Sequence, residues 1–600
     1  MLPRLLSITG PLAVYVSLAV LIYGLWRERQ KLDWLALVPA IMGLAASFVL
    51  LEPIHRLFFD EDIYINVAGN LSHAPVNQVT VLGAPDEIQV SSYYKEPPGW
   101  PVLLSLVFLV TGVHEAVAFW AARILYAIAI AAVFHLARQT LKNRTQSLIA
   151  AVLFGATPVC FWFSPSAGTD IAASAMSTIG MWGLLAANGP LAAAGIALAA
   201  QTRMELLILV PLVWLAKKIP RYWKLMTVSL VAVEIVHVGW VLSVAPVLER
   251  AERVQAAFSA SYIPQNLRTN AIHLLNPFTF FAIVTILALI ACFRAWRTRC
   301  RELSLLAAQA AGLFGVYLTF YAGSFEMNTR YSIQMLAPMT VLAASLLTPK
   351  RAILLLSVVL PYTRAYEFPG FVQALAADHR LSAEFASQIS QADLVVSAQS
   401  EMFLNHGRRA MNVIYASAHK EQLEAEIGRR KVWYHAGART GASDTEDALA
   451  DGWVKSNFEL HLVRSQEIRG MRIAFYEMLL KNVNRNAGLI GPFESETDRG
   501  ERSGLRSELQ ILIHPSGAFS HGREEIFCEL CLMCAGSKGE CRAAAGNCGT
   551  GRILQFDRQI GGRRPRVDES KADVQAGRDF ANPRNDKALH VRRAGCYADA

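Results

Sequence analysis

The stretch FFDEDIYINVAGN, residues 58–70, decides how the rest of the chain is interpreted. It follows an apolar segment and places the carboxylates of Asp60, Glu61 and Asp62 side by side in a largely apolar part of the chain. A carboxylate near hydrocarbon is costly, so such a group usually faces a cavity or a partner. Alternatively, the three residues lie in water and favour the start of a helix, where negative charge is stabilising.

The composition predicts an α-helical polytopic membrane protein. Hydrophobic residues make up 53% of the chain and charged residues only 18%, which is outside the range of ordinary soluble domains. The net charge of +9 comes from Lys and Arg gathered in short clusters between apolar runs, as the positive-inside rule requires. Nucleic acid is therefore excluded as an expected partner.

Apolar segments alternate with these basic clusters along residues 1–363. Segments long enough to cross a bilayer lie near 11–26, 34–51, 116–137, 147–163, 170–187, 224–244, 276–294, 303–322 and 331–348, and shorter ones near 98–112, 190–201, 204–216 and 351–363. A helix along the membrane normal needs about 20 apolar residues. The short segments are therefore tilted spans, re-entrant pieces or interfacial helices.

The basic clusters select a topology from these alternatives. All of them are cytoplasmic if 98–112 is an interfacial helix and 190–201 and 204–216 are short spans that meet near Arg203. This arrangement gives about twelve spans. It places residues 52–115, Asp170, Arg203, residues 323–330 and the chain after 363 on the extracytoplasmic side, and it puts the N-terminus there too.

The chain divides into three predicted regions. Residues 1–363 form the transmembrane domain, and residues 364–485 form a small extracytoplasmic α/β domain with strand-like runs at 392–399, 430–437 and 471–479 and a helical pattern at 418–430. Residues 486–600 have a composition typical of a disordered tail. The tail contains CELCLMC, residues 528–534, whose spacing suits a metal or iron–sulfur site, but the sequence around it favours a solvated segment.

Charged residues recur in the segments predicted to lie outside. Lys95-Glu96-Pro97-Pro98 precedes the interfacial helix, Asp170 opens a span, and Arg203 lies between the two short spans. Arg330 and Tyr331 open a late span. Together with Asp60-Glu61-Asp62-Ile63-Tyr64, this order of motifs over residues 34–350 resembles the GT-C superfamily of membrane glycosyltransferases. The resemblance is to the bacterial group related to protein O-mannosyltransferases and lipid A aminoarabinosyl transferases.

The resemblance implies a GT-C-like fold and transfer of a sugar from a polyprenyl-phosphate donor to a hydroxyl of a lipid, glycan or protein acceptor. It implies catalytic roles for Asp60, Glu61 and Asp170, with Asp60 as the general base. Arg203, Arg330 and Lys95 would bind the donor phosphate. Asp60 and Asp170 are also candidate ligands for a divalent metal ion, and no nucleotide-binding loop is evident.

Simpler roles exist for each of these residues. Arg203 could only pair with Glu205, Arg330 could only anchor a helix at the interface, and Asp170 could only begin one. A transporter or flippase for a lipid-linked sugar is the alternative function, and a scaffold carrying the α/β domain is a third. The enzyme interpretation predicts a multi-pass protein of the bacterial inner (plasma) membrane whose active site faces the extracytoplasmic side.

Overall fold

The computed structural model describes residues 2–57, 60–84, 87–248, 257–326, 328–364, 370–438 and 446–481. All of these residues belong to one compact unit, residues 1–520. The predicted disordered tail at 486–600, with its cysteine-rich stretch, lies outside the described residues. The expectations for that tail therefore stay predictions.

Helices make up most of the described chain. Up to residue 364 they are α1 (Leu2–Glu28), α2 (Leu37–Leu50), α3 (Asp60–His73), α4 (Gly99–Thr111), α5 (Glu115–Leu141), α6 (Arg144–Ala156), α7 (Pro158–Trp162), α8 (Thr169–Leu185), α9 (Gly189–Thr202), α10 (Val210–Leu215), α11 (Arg221–Leu248), α12 (Ile263–Leu275), α13 (Ala282–Thr298), α14 (Arg301–Thr319), α15 (Ile333–Ala344) and α16 (Pro349–Arg364). Short 3₁₀ helices at Met204–Leu209 and Thr329–Ser332 precede α10 and α15.

The helices include 4 that are long and apolar enough to cross a membrane: Leu2–Lys31, Glu115–Leu141, Arg221–Val241 and Arg301–Thr319. Shorter apolar helices cover Trp34–Leu50, Gly99–Thr111 and Met204–Leu215. The chain is thus a mostly helical, multi-pass membrane protein. Helix α4 has 13 residues and is about 20 Å long, which is less than the roughly 30 Å of a hydrocarbon core. The predicted total of about twelve spans stays a prediction.

Helices α8 and α9 form a tightly packed antiparallel hairpin in the centre of this unit. A Cβ atom on Gly183 would lie 2.5 Å from the backbone nitrogen of Ala192, and one on Gly195 would lie 2.5 Å from that of Gly180. Glycine is therefore required for the two backbones to approach this closely. Because the hairpin is antiparallel, the start of α8 and the end of α9 lie at the same end of the bundle, which brings Asp170 close to Arg203.

The chain after residue 369 combines helices with strands. Its helices are α17 (Gly370–Gln388), α18 (Ser400–Asn405), α19 (Val413–Ala418), α20 (Lys420–Ile427) and α21 (Glu446–Asn457). Its strands are β3 (Leu394–Ser397), β4 (Arg409–Asn412), β5 (Val432–Ala436), β6 (Phe458–Ile468) and β7 (Met471–Leu480). Two further strands, β1 (Gln78–Ala84) and β2 (Glu87–Tyr93), lie between α3 and α4. All of these strands form one 7-stranded sheet in the order β2-β1-β4-β3-β5-β7-β6.

The sheet joins two distant parts of the sequence. Strand β3 is parallel to both β4 and β5, and the remaining pairs are antiparallel. Strand β1, which follows α3 in the sequence, pairs with β4 through Leu82↔Met411 and Gly83↔Ala410. Val81 and Leu82 are consequently buried in the same apolar cluster as Val396 and Met411.

The predicted strand-like runs agree with β3, β5 and β7, and the helical pattern at 418–430 agrees with α20. Strands β1 and β2 are not among the predicted strands, which all lie within residues 364–485. The two strands lie between α3 and α4, and β4, which pairs with β1, is more than 300 residues away in the sequence. A local residue pattern contains no information about such a pairing.

Candidate functional site

Four of the residues selected from the sequence lie in one network of opposite charges. Asp60, Asp170, Arg203 and Arg330 form this carboxylate–guanidinium cluster. Arg330 Nη2 lies 2.8 Å from Asp60 Oδ2, and its Nε lies 3.8 Å from Asp170 Oδ2. Arg203 Nη1 donates a hydrogen bond of 2.5 Å to Asp170 Oδ1. Asp170 therefore lies between the two guanidinium groups.

Each member of the cluster lies at or beside the end of a helix. Asp60 begins α3, and Asp170 lies in the first turn of α8. Both carboxylates occupy the helix position where the backbone dipole favours negative charge. Arg203 follows the last residue of α9, and Arg330 lies in the 3₁₀ helix at Thr329–Ser332, directly before α15. Four separate helix ends thus converge on one site.

Polar and aromatic neighbours hold Arg203 in place. Its Nε donates a 2.5 Å hydrogen bond to Glu205 Oε1, which also accepts a 2.9 Å bond from the hydroxyl of Tyr317. The Arg203 guanidinium lies 4.5 Å from the ring centroid of Tyr331, a distance at which a cation is attracted to an aromatic face. Tyr331 stacks on Tyr317 at 5.3 Å between centroids. The guanidinium is therefore oriented on several sides at once.

Two polar atoms of the cluster are buried without a hydrogen bond. They are Asp170 Oδ2 and Arg330 Nη1. An unsatisfied buried donor or acceptor carries a desolvation cost, and it needs a structural or functional explanation. Here the free N–H group of Arg330 can donate to an anionic ligand without breaking its bond to Asp60.

Glu61 lies outside this cluster and has a different environment. One oxygen accepts hydrogen bonds from the backbone N–H groups of Arg56 and Leu57, at 2.6 and 3.1 Å. The other accepts from the hydroxyl of Ser166 and the N–H of Ala167, both at 2.8 Å. Glu61 thus fastens the segment before α3 to the segment before α8, and so sets the distance between Asp60 and Asp170.

The same contacts keep Glu61 ionised. Burial alone would raise the pKa of this carboxyl, but His55 and the backbone N–H groups of Arg56 and Leu57 hold the pKa below its usual value. The predicted catalytic role of Glu61 stays a prediction, and the contacts themselves hold the segments before α3 and α8 together.

Lys95 and Glu96 approach the site from the segment before α4. The carbonyl oxygen of Lys95 accepts a hydrogen bond from the ring of His237, and the Lys95 side chain is half-buried. Burial, together with the charges of Asp60 and Glu205, raises the pKa of Glu96, whereas Lys95 acts in the opposite direction. Glu96 is therefore close enough to the cluster to interact with its charges.

Glu96 and Tyr317 are not among the site residues predicted from the sequence. Glu96 could have been found, since it directly follows Lys95 in the quoted motif. Tyr317 could not, because it lies within the apolar helix α14 and nothing in its local sequence distinguishes it from a core residue.

Asp60 and Asp170 fit a dedicated metal site poorly. Each carboxylate already faces a guanidinium group, and Arg330 lies against both of them. In the part of the chain that the structure describes, no third His, Cys, Asp or Glu side chain converges with these two carboxylates in a ligand geometry. No catalytic step is therefore derived through a metal ion at this position.

Comparison with known proteins gives similarities of fold. No protein-family model matches the sequence, and no curated protein matches it. One similar solved structure is ArnT from Cupriavidus metallidurans bound to undecaprenyl phosphate, with 12% identity, a TM-score of 0.47, and 73% of this chain and 97% of that chain covered.

Two further solved structures are similar at comparable levels. The oligosaccharyltransferase of Archaeoglobus fulgidus, in its apo form, is 12% identical with a TM-score of 0.44, and the match covers 75% of each chain. The arabinofuranosyltransferase AftD from mycobacteria is 13% identical with a TM-score of 0.40, and the match covers 74% of this chain and 41% of that one.

Proposed function

We propose that this chain is an integral membrane glycosyltransferase that moves a sugar from a polyprenyl-phosphate donor to a hydroxyl group of a lipid, glycan or protein. The observation that supports the proposal most strongly is the carboxylate–guanidinium cluster. Its members come from four helix ends, and they combine a proton acceptor with two guanidinium groups suited to a phosphate. The motif resemblance described above adds the polyprenyl-phosphate donor class.

In the proposed reaction, Asp60 is the general base. The acceptor hydroxyl gives its proton to Asp60, its oxygen bonds to the anomeric carbon, and the bond from that carbon to the phosphate oxygen breaks. Asp60 is 20% exposed, whereas Asp170 is 3% exposed and is bonded to Arg203. Asp60 is thus the carboxylate that an acceptor can reach, and Asp170 orients the two guanidinium groups.

The departing phosphate gains negative charge as this bond breaks. Arg330 can donate to it through Nη1, which has no hydrogen bond in the protein, and Arg203 presents a guanidinium fixed by Glu205 and Tyr331. Preorganised donors of this kind stabilise the charge that develops in the transition state. Lys95 is assigned a supporting role, as a positive charge at the entrance to the site.

The proposed location is the extracytoplasmic face of a bacterial inner membrane. Reporter fusions at about residue 90 and about residue 420 should both report an external position, and one at about residue 220 a cytoplasmic position, if the basic clusters face the cytoplasm. A cytoplasmic position for residue 90 would put Asp60 in the wrong compartment for the donor.

The transporter alternative receives no support from the site. A transporter usually binds its substrate near the bilayer midplane, within interrupted helices. Asp60, Asp170, Arg203 and Arg330 all lie at helix ends. The charge-derived topology predicts that these ends lie at the extracytoplasmic face, and on that topology they support a reaction at the interface.

The test compares the envelope lipids and glycans of a deletion strain with those of strains complemented by wild type, Asp60→Asn or Glu459→Gln. Glu459 is a matched control, since it is 50% exposed on β6. Mass spectrometry should show one glycan modification that wild type and Glu459→Gln restore and Asp60→Asn does not. A further strain complemented by Asp170→Asn tests the second carboxylate, and restoration by both Asp60→Asn and Asp170→Asn would reject glycosyl transfer at this site.

A further inference from the structure

A second buried group of charged side chains begins two residues after Asp60. It consists of His55, Asp62 and His379, and we call it the histidine cluster. His55 lies between α2 and α3, Asp62 on α3 and His379 on α17. One potential ligand atom from each of the three lies within 4.8 Å of the other two, and all three residues are buried.

We propose that the histidine cluster binds a divalent transition metal ion of the zinc class, which fastens helix α3 to helix α17. This site is separate from the proposed reaction centre, and it does not depend on the proposed function. Imidazole nitrogen and carboxylate oxygen are ordinary ligands of Zn²⁺.

The first argument concerns hydrogen bonds that are missing. Asp62 Oδ2, His55 Nδ1 and both ring nitrogens of His379 are buried without a hydrogen-bond partner. His379 Nε2 lies 2.8 Å from Asp62 Oδ2, which is an ion-pair distance. Buried polar atoms are normally paired, so their concentration at one point requires an explanation, and a bound cation supplies it.

The second argument concerns the opposite ends of the same side chains. The Nε2 atom of His55 hydrogen-bonds to the carboxylate of Glu115 at the start of α5, so Nδ1, which has no hydrogen bond, is the nitrogen available to a metal ion. Asp62 Oδ1 accepts a 3.1 Å hydrogen bond from the amide of Asn405, so Oδ2, which lies 2.8 Å from His379 Nε2, is the oxygen available to the same ion. Metal-binding His and carboxylate side chains are typically oriented in this way by an outer hydrogen bond.

The third argument concerns charge. The carboxylates near His55 belong to Asp62, Glu61 and Glu115, and Glu61 Oε2 lies 3.4 Å from His55 Nδ1. The basic groups that face them are imidazoles, including His406, whose Nε2 lies 3.8 Å from Glu115, and the guanidinium of Arg56, which interacts with Glu61. Three carboxylates therefore lie close to one point, and a divalent cation held there would be attracted by all three.

Metal binding requires a small rearrangement. The rings of His55 and His379 are stacked, with centroids 3.6 Å apart and 9° between their planes. A zinc ion lies about 2.0–2.1 Å from each nitrogen and close to the plane of each ring. The two rings must therefore tilt apart by side-chain rotation, and Asp62 would complete the set of protein ligands that the described residues provide.

The first experiment measures the metal content of the full-length protein in detergent. Protein stripped with a chelator is incubated with Zn²⁺, desalted and analysed by mass spectrometry for zinc. Wild type should retain about one more equivalent of zinc than His379→Ala, as expected for a single site. The matched control is His461→Ala, which removes an imidazole that is 55% exposed on β6 and should retain as much zinc as wild type. Equal zinc contents in wild type and His379→Ala would overturn the proposal.

A second experiment covers the case in which His379→Ala fails to fold. His379→Cys keeps a ligand of the right kind for the metal, and with Co²⁺ as the probe it should add a thiolate-to-cobalt charge-transfer band. The difference spectrum against wild type removes the contribution of the cysteines already in the chain. If His379→Cys elutes as folded protein and shows no such band, residue 379 is not a ligand and the proposal fails.

Discussion

Helix α3 carries two buried charged clusters that differ in the group that balances the carboxylates. At Asp60 the balancing groups are the guanidinium groups of Arg330 and Arg203, which carry a permanent positive charge on a planar set of donors. At Asp62 the neighbouring groups are imidazoles, which are neutral unless they gain a proton. The first cluster is therefore balanced by permanent charges of the protein, apart from two atoms without a hydrogen bond, and the second is the one for which we propose a bound cation.

This difference separates a reaction site from a structural one. The carboxylate–guanidinium cluster presents a carboxylate that is 20% exposed, beside an Arg330 Nη1 atom that has no hydrogen bond. The histidine cluster is closed on every side by protein, with side chains that are between 2% and 7% exposed for Asp62 and His379. Changes in the first should therefore alter catalysis, and changes in the second should alter metal content and stability.

The largest expected effect is that of Asp60→Asn on transfer. The substitution keeps the size of the side chain but removes the proton acceptor, so the rate should fall by about 10²-fold or more. The measurement is the initial rate of transfer in membranes with equal amounts of protein, together with the zinc content, which should not change. Near-normal transfer in Asp60→Asn combined with its loss in Asp170→Asn would move the base to Asp170.

A smaller loss of the transfer rate is expected for Arg203→Lys. The ammonium keeps the charge but loses the planar fork that contacts Asp170 and Glu205 together, so transfer should fall roughly tenfold, the equivalent of one charge-assisted hydrogen bond. Initial rates of transfer, determined over a range of donor concentrations, would measure this fall. Arg409→Lys is the control, because Arg409 pairs with the exposed Glu87 on the sheet. Equal losses in both variants would show that the effect is not specific to the cluster.

Removal of the metal should have a still smaller effect on transfer and a clear effect on stability. A ligand that binds only the folded state raises the unfolding free energy, by about 2.7 kcal/mol when its concentration is 100 times Kd. The melting temperature of chelator-treated wild type should therefore rise when Zn²⁺ is added, and that of His379→Ala should not. A parallel rise in the variant would place the zinc elsewhere in the protein.

The smallest effect is expected for Glu87→Gln. The pair between Glu87 Oε2 and Arg409 Nη2 measures 2.8 Å, but the carboxylate is 62% exposed, and exposed ion pairs contribute little in water. The melting temperature and the transfer rate should both equal those of wild type within error. A clear loss of stability would show that the contact between β2 and β4 depends on charge rather than on the apolar residues beneath it.

The members of the carboxylate–guanidinium cluster could be predicted from the sequence, but the contacts between them could not. Asp60, Asp170, Arg203 and Arg330 could be selected because the motifs that contain them carry the family resemblance and because the basic clusters predict the same side of the membrane for all four. The pairing of Arg330 with Asp60 rather than with Asp170 alone depends on how α3 and α15 pack, which no local pattern specifies.

The histidine cluster could not be predicted for the same reason. His55 and Asp62 are close in the sequence, but His379 belongs to a helix that begins after residue 369, and a lone histidine in an amphipathic helix is usually a core or surface residue. Glu61, in contrast, was selected from the sequence, but its contacts differ from those of Asp60. The sequence placed it correctly beside Asp60, yet one position along a helix turns a side chain by about 100°, which directs Glu61 toward Ser166 instead of the guanidinium groups.

The pairing of β1 with β4 affects how the protein is synthesised. The hairpin of β1 and β2 leaves the ribosome more than 300 residues before β4, the strand that pairs with β1. The edge of β1, with Val81 and Leu82, therefore stays unpaired while most of the helices insert. Contacts between such distant residues form slowly, and exposed strand edges favour aggregation. A shortened chain that ends near residue 364 would keep the four described helices that are long and apolar enough to cross a membrane, and it would still expose this edge permanently. Low yields of such a chain would reflect a folding defect, with no bearing on catalysis.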